Sequence, residues 1–529
     1  MLVSSLISSV LALSVLAAPS HSADPDPAVP LDDRGTAAAT DALAEVQGLL
    51  DGITSFLPGV AAPDADLTMA LRDLALLKNE LPPSLRSAAE SYLARPTDGD
   101  ADEFGNGYAV AEETPVCSAV VCVHYVTSSP DRVDTTDGNG NGVPDYVDFA
   151  LKTMTDVHNT YVAAGYRAPK SDLAADNNGG NALPDVYLAN IGVDGFYGYC
   201  ATDQDVPANQ PQDTWGYCVL DNDYSRGEFP TNTSRENLQV TAAHEYFHDV
   251  QFGYDVSEDG WIMEATATWA EDELYDGVND NVQYLRGGPM GQPRRPLDQF
   301  AGTFHYGTWI FFRHLTERFR NSQGGMPILV RDLWRRLDDA PGGIGEYSLK
   351  GLKRVLNQRG LPLSSAFARF SAANRMPARS YDEGKRYPTA PLVSTTRLSP
   401  SRKSVGVQRV ALDHMAAGTL RYTPGNKLRK DWRLRLEIDM APTWKGTAVY
   451  LTLKPRKGAP VTRELRINRQ GDVNKTYRFF SRSVKYVELT LANASDDFRC
   501  NRGTRFSCEG KPKFDDLIQR IKANVYRAP

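Results

Sequence analysis

The pattern that most restricts this 529-residue chain is His244-Glu245-Tyr246-Phe247-His248. Two histidines four residues apart share one face only on an α-helix, so the pattern calls for a helix here,. Upstream, Thr233-Ser234-Arg235-Glu236 has the Thr-x-x-Glu spacing of a capping box and predicts the helix start,. The helix should run through Leu238 and Val240 to about Phe252. Its two imidazoles project together and suit one zinc ion. Glu245, beside the first of them, is placed to take a proton from an attacking water,. With only 8 His in the chain, chance gives such a match about one time in a hundred,.

Residues 261–271 read as a second helix, reached after a short turn at 255–260. An antiparallel return would bring Glu264 over the two histidines. A set of His244, His248 and Glu264 leaves one position open on zinc, which marks a catalytic site rather than a closed structural one. Asp255 is the alternative third ligand.

At these residues the chain resembles the gluzincins, the thermolysin-like and aminopeptidase-like zinc metallopeptidases, over about residues 238–319. The whole layout resembles secreted bacterial metalloproteases with a C-terminal β domain. The resemblance implies that His244, His248 and Glu264 hold zinc, that Glu245 is the general base, and that the substrate is a protein or peptide. It also implies a Tyr or His donor for the oxyanion on a downstream helix, which makes His305 and Tyr306 the candidates,. The gap from His248 to Glu264 is shorter than in thermolysin, and the Asp found there four residues after the Glu ligand is Thr268 here. Support for the first histidine then falls to Glu271 or Asp249. A metzincin pattern fails, because Gln251 and Tyr254 stand where it needs Gly and a ligand.

Two Asp/Asn/Gly segments place oxygen side chains at alternate positions of tight turns. The first carries Asp137, Asn139, Asn141, Asp145 and Asp148, and the looser second carries Asp176, Asn178 and Asp185. Calcium takes six to eight hard oxygen ligands, and glycines let a loop wrap the ion. The first segment resembles EF-hand-like and thrombospondin type 3 calcium loops, although it lacks the terminal Glu of an EF-hand. Of the remaining histidines, His124, His158, His314 and His414 have no partner pattern and read as structural or surface residues.

The chain is long enough for two to four domains. Residues 1–23 resemble a signal peptide without its usual basic start, 24–105 a helical pre-domain or propeptide, 106–393 an α+β metallopeptidase core, and 394–529 a basic β-sandwich,. Helical spacing appears at 41–57, 67–80, 83–93, 144–161, 301–319, 328–337 and 349–356,. A β-rich run covers 117–128, and 186–191 reads as a strand. Period-two alternation at 432–439, 449–453 and 487–491 predicts the sandwich strands,. Six cysteines in close pairs, Cys117 with Cys122, Cys200 with Cys218 and Cys500 with Cys508, favour disulfides and an extracellular location,. With 41% hydrophobic and 23% charged residues the chain is neither disordered nor a polytopic membrane protein,.

Charge is unevenly placed. From Arg397 onward, 29 Lys and Arg face 12 Asp and Glu, a net of +17, and the rest carries 29 against 54, a net of −25. The basic end suggests an anionic cell-surface polymer as a partner, with no specific nucleic-acid signature and no transmembrane span after signal cleavage. The leading expectation is an exported zinc endopeptidase stabilised by calcium. A non-catalytic, calcium-stabilised surface-binding protein on a peptidase-like scaffold is the alternative, and another zinc-dependent hydrolase is a third reading.

Overall fold

Three helices open the chain in the computed structural model, which describes residues 31–53, 66–99, 107–207 and 210–528. The signal-like segment lies outside the described residues, as do 54–57 of the first expected helix and 100–105 of the expected pre-domain. The helices are α1 (Leu31–Ile53), α2 (Leu67–Leu77) and α3 (Pro83–Tyr92). Asp66 caps α2, its Oδ1 accepting from Met69 N at 3.0 Å,. Pro83 at the start of α3 has no N–H to leave unpaired,.

A five-stranded sheet follows: β1 (Val116–Cys117), β2 (Cys122–His124), β3 (Asp185–Ala189), β4 (Gly198–Ala201) and β5 (Tyr217–Asp221), in the order β1-β2-β3-β5-β4. β2, β3 and β5 are parallel, whereas β1 and β4 are antiparallel to their neighbours. β3 and β5 are buried at every residue, so both sheet faces are covered,. Val186, Leu188, Cys218 and Leu220 face the main core, which includes α4 (Asp145–Ala163) and α5 (Ser234–Asp255). Tyr187, Ala189, Tyr217 and Val219 alternate to the other face, where Leu71, Leu74, Ala75 and Leu93 meet them. Each fully buried leucine there contributes about 1.5–3 kcal/mol. The N-terminal helices are therefore the second layer of this sheet.

The Thr233–Glu236 capping box forms and starts α5 one residue later. Next come α6 (Gly260–Leu274), α7 (Trp309–Arg318), the small hairpin β6 (Ser322–Gln323) and β7 (Met326–Pro327), and then α8 (Ile328–Leu337), α9 (Leu349–Gln358), α10 (Leu363–Ala373) and α11 (Pro377–Ser380). Where the sequence predicts one helix over 301–319, the chain has turns, a 3-10 turn at Tyr306–Thr308 and then α7.

The C-terminal strands are β8 (Ser394–Leu398), β9 (Ser404–Leu412), β10 (Ala416–Pro424), β11 (Trp432–Asp439), β12 (Thr447–Pro455), β13 (Val461–Glu464), β14 (Asp472–Arg478), β15 (Val484–Asn493), β16 (Phe498–Arg499), β17 (Lys511–Pro512) and β18 (Leu517–Arg527). They form two main sheets, β13-β12-β15-β10-β8 and β14-β11-β18-β9, with β16 and β17 as a separate hairpin. Leu434, Leu436, Ile438, Leu489, Leu491 and Ile521 fill the space between the sheets. The outer face of the first sheet is buried too: Ala417, Ala448, Tyr450 and Ala492 join the core of the preceding helices. This unit is not a loosely appended tail. Three disulfides join Cys117 to Cys122, Cys200 to Cys218 and Cys500 to Cys508. Among the described residues, no helix is long and apolar enough to cross a membrane.

Candidate metal centre and its cavity

Contacts between α5 and α6 run in opposite order along the two helices. His244 meets Glu271, while Gln251, two turns on, meets Met263 and Thr266. That antiparallel return places Glu264 between the histidines. His244 Nε2 lies 3.0 Å from Glu264 Oε2, and His248 Nε2 lies 3.1 Å from Glu264 Oε1. His244, His248 and Glu264 are all buried, and one ligand atom from each lies within 4.8 Å of the others.

The opposite ring nitrogens are held from behind. His244 Nδ1 is 2.6 Å from Glu271 Oε1, so Glu271, and not Asp249, supports the first histidine. Asp249 lies instead by Gly216 N, with Asp172 and Arg95 nearby. His248 Nδ1 is 2.8 Å from Gln251 Oε1, and Gln251 Nε2 donates to Met263 O and Thr266 Oγ1. With Nδ1 fixed, each Nε2 is aimed at one point, the arrangement that orients imidazoles toward a metal. His248 Nε2 and Glu264 Oε1 are fully buried and face each other at 3.1 Å without the alignment of a hydrogen bond. Buried polar atoms are costly to leave poorly paired, and a divalent cation fits their donor chemistry. Asp255 is excluded from the centre, since its carboxylate accepts from Ser257 N and Oγ.

The buried groups of this cluster also act strongly on one another's charge. Burial works against a charged His244, but its hydrogen bonds to Glu264 and Glu271 outweigh burial and hold it well above the usual imidazole range. Burial pushes Glu264 up, yet His248 and His244 overcome it and hold the carboxyl below its ordinary range. Burial raises Glu271 to about 7 despite His244. Burial also raises Glu245, which His244 and His248 only partly offset.

A cavity of about 350 Å³ opens over the centre. Its floor is Val240, Thr241, His244 and Glu245 of α5, with Glu264 and Glu271 of α6. The approach to β4 (Gly195, Phe196, Tyr197, Gly198) forms one wall, and Asp66, Leu67 and Thr68 of the N-terminal layer another. Asp280, Gln283, Tyr284, Gly287, Gly302, Thr303 and Tyr306 close it. Thr68 Oγ1 donates to Glu245 Oε2 at 3.3 Å and accepts from Cys200 N at 3.1 Å. Of the two oxyanion candidates, only Tyr306 lines the cavity, with its ring 6.1 Å from that of His244. His305 stacks on Phe300 and faces Asp66 Oδ2 at 3.3 Å. No local sequence pattern marks Thr68, Asp280 or Tyr284, which reach the cavity from the first turn of α2 and from a 3-10 stretch at Asp280–Arg286.

The first Asp/Asn/Gly segment closes into one loop. Asp137 accepts from the N–H groups of Gly140, Asn141 and Gly142, Asp145 accepts from Gly138 N, and the amides of Asn139 and Asn141 both donate to Asp148 Oδ2. In the second segment the Asp185 carboxylate packs against Gly179 but is engaged elsewhere. Asp185 is buried against Arg95 Nη1 at 2.7 Å and His124 Nε2 at 2.9 Å, so a guanidinium already balances its charge. Asp176 is exposed, and Asn178 Oδ1 accepts from Gly180 N. The other histidines have structural partners: His124 with Glu112 and Asp185, His158 with Tyr246, His314 beside Phe370, and His414 with Asp298 and Asp515.

No protein-family model matches the chain, and no curated protein matches it.

Proposed function

We propose that the protein is an exported zinc-dependent endopeptidase with a zincin-like core. The observation that carries this reading is the convergence of two His Nε2 atoms on Glu264, with both Nδ1 atoms braced, at the floor of an open cavity beside an unligated Glu. His244, His248 and Glu264 would hold zinc, which supplies a Lewis acid for the scissile carbonyl and lowers the pKa of water. Glu245, raised by burial, would accept the proton of the attacking water and return it to the leaving amine,. Tyr306, whose hydroxyl burial keeps protonated, is the candidate donor to the oxyanion,. Three disulfides support export,. We further assign calcium to the loop of Asp137, Asn139, Asn141, Asp145 and Asp148, and retention on an anionic surface polymer to the basic sandwich.

Metal content and turnover of unstructured casein test the mechanism together. Wild type should carry close to one zinc per chain and lose turnover to a chelator. Glu245→Gln should keep the zinc while activity falls by ~10²–10⁴-fold. His248→Ala or Glu264→Ala should lose both. Near-normal turnover by Glu245→Gln would refute the mechanism.

A further inference from the structure

The cavity is acidic beyond what a metal centre needs. Five carboxylates line it, those of Asp66, Glu245, Glu264, Glu271 and Asp280, and among the described residues no Lys or Arg does. Four of them already have a partner or a role. Glu264 sits between the imidazoles, and Glu271 braces His244. Asp66 caps α2 and faces His305, and Glu245 is the base held by Thr68.

Asp280 is different. It is only 9% exposed, yet its carboxylate meets neutral donors alone: Asn232 Nδ2 at 2.6 Å on Oδ1 and Gln283 Nε2 at 2.7 Å on Oδ2. Two amides fix the orientation of the carboxylate without cancelling its charge. A buried carboxylate lacking a cation is costly, and the structure places this one on a cavity wall where a ligand can supply the cation,. Tyr197 and Tyr284 line the same cavity, and such rings flank the alkyl stem and cationic head of a long basic side chain well,. An acidic side chain entering beside Asp280 would meet like charge there.

We propose that Asp280 sets the specificity of this site, and that the preferred substrates are polypeptides with a Lys or Arg side chain next to the bond cut. This rests on the peptidase reading of the cavity, and the test separates the two. Zinc-loaded full-length protein is given a library of unstructured peptides, and the cut sites are read by mass spectrometry. Lys or Arg should be enriched at one fixed position beside the cut. Asp280→Asn should lower kcat/KM on those peptides by roughly 10–100-fold and leave neutral peptides within about threefold. In parallel, binding of agmatine, a guanidinium with no peptide bond, is measured by calorimetry. Asp280→Asn and Asp280→Ala, checked for an unchanged melting temperature, should bind it at least about tenfold more weakly. If wild type cuts nothing in a chelator-sensitive way, the peptidase reading falls, and the agmatine arm still decides whether Asp280 receives a cation. Cut sites with no basic preference, equal losses on basic and neutral peptides, or agmatine binding indifferent to Asp280 would each overturn the proposal.

Discussion

At the scale of single residues, the centre is set as much by what is missing as by what is present. Gly198 opens β4, and a Cβ built there would lie 2.8 Å from Glu245 Cγ and 2.8 Å from Thr241 Cγ2. Only glycine lets the strand lie this close to the proposed base. Gly198→Ala should therefore displace Glu245 while the ligands stay in place. Overpacking of this kind costs about 1–3 kcal/mol, and a 1 Å misplacement of a catalytic group costs ~10²-fold in rate. We expect turnover to fall at least tenfold with zinc still near one per chain, and unchanged turnover would show that the contact does not matter. His244, Glu245 and His248 were legible in the sequence because helical spacing alone brings them together, and Glu264 because a short turn returns α6 against α5. Glu271 was one of two candidates to support His244, and the structure decides between them by a 2.6 Å contact. Gly198, Thr68 and Asp280 act across sequence gaps of tens to hundreds of residues, and no local pattern encodes such contacts.

At the scale of elements, legibility follows the strength of the periodic signal. α8 and β11 match their expected spans because one face of each is apolar and the other polar. β5 has no such alternation, since sheet neighbours and layers on both faces bury every residue of it,. β4 is a four-residue edge strand opened by glycine, and it was equally invisible. The loop before α4 was legible from its glycines, and its geometry carries a prediction. Asp137 and Asp145 are held by backbone N–H groups, which hold the loop in shape, while Asp137, Asn139 and Asn141 stay exposed to solvent and Asp145 and Asp148 are half-buried. Calcium would replace the repulsion among those carboxylates with attraction and fix the start of α4. Differential scanning fluorimetry should show a higher melting temperature with calcium than with a calcium-selective chelator. Asp145→Ala should remove most of that difference, and superimposable curves for wild type would refute the assignment.

At the scale of the whole molecule, the three sequence regions fold as interlocked layers. The N-terminal helices cover one sheet face, and Arg95 just beyond them balances the buried Asp172 and Asp185. Cutting the chain before 107 would expose that face and take the Arg95 guanidinium away from two buried carboxylates. Helical spacing in 24–105 marks amphipathic segments and does not say what their apolar side meets; in the structure that side lies on the sheet. The C-terminal end is tied in at one charged junction. His414 Nε2 lies 3.1 Å from Asp298 Oδ1, and its Nδ1 lies 2.6 Å from Asp515 Oδ1. Asp298 Oδ2 accepts from Ser507 N, and the next residue, Cys508, donates its N–H to Asp259, which directly precedes α6. The junction therefore braces the helix that carries Glu264. Burial would lower the His414 pKa, but Asp298 and Asp515 outweigh it and raise it from 6.5 to about 9. Because the folded value is the higher one, the protonated histidine stabilises the fold fully below pH 6.5, and that contribution is lost as pH rises through about 9,. Asp298 is held below its ordinary range, so its share is present above about pH 3.8 and lost as pH falls,. The histidine's shift corresponds to about 3 kcal/mol at most. His414→Gln should lower the melting temperature most between about pH 4 and 6.5, with the gap to wild type closing from pH 6.5 to 9,. Thermal melts of the two proteins across pH 4 to 10 check this, and a gap that stays constant to pH 10 would mean that the junction holds by packing alone.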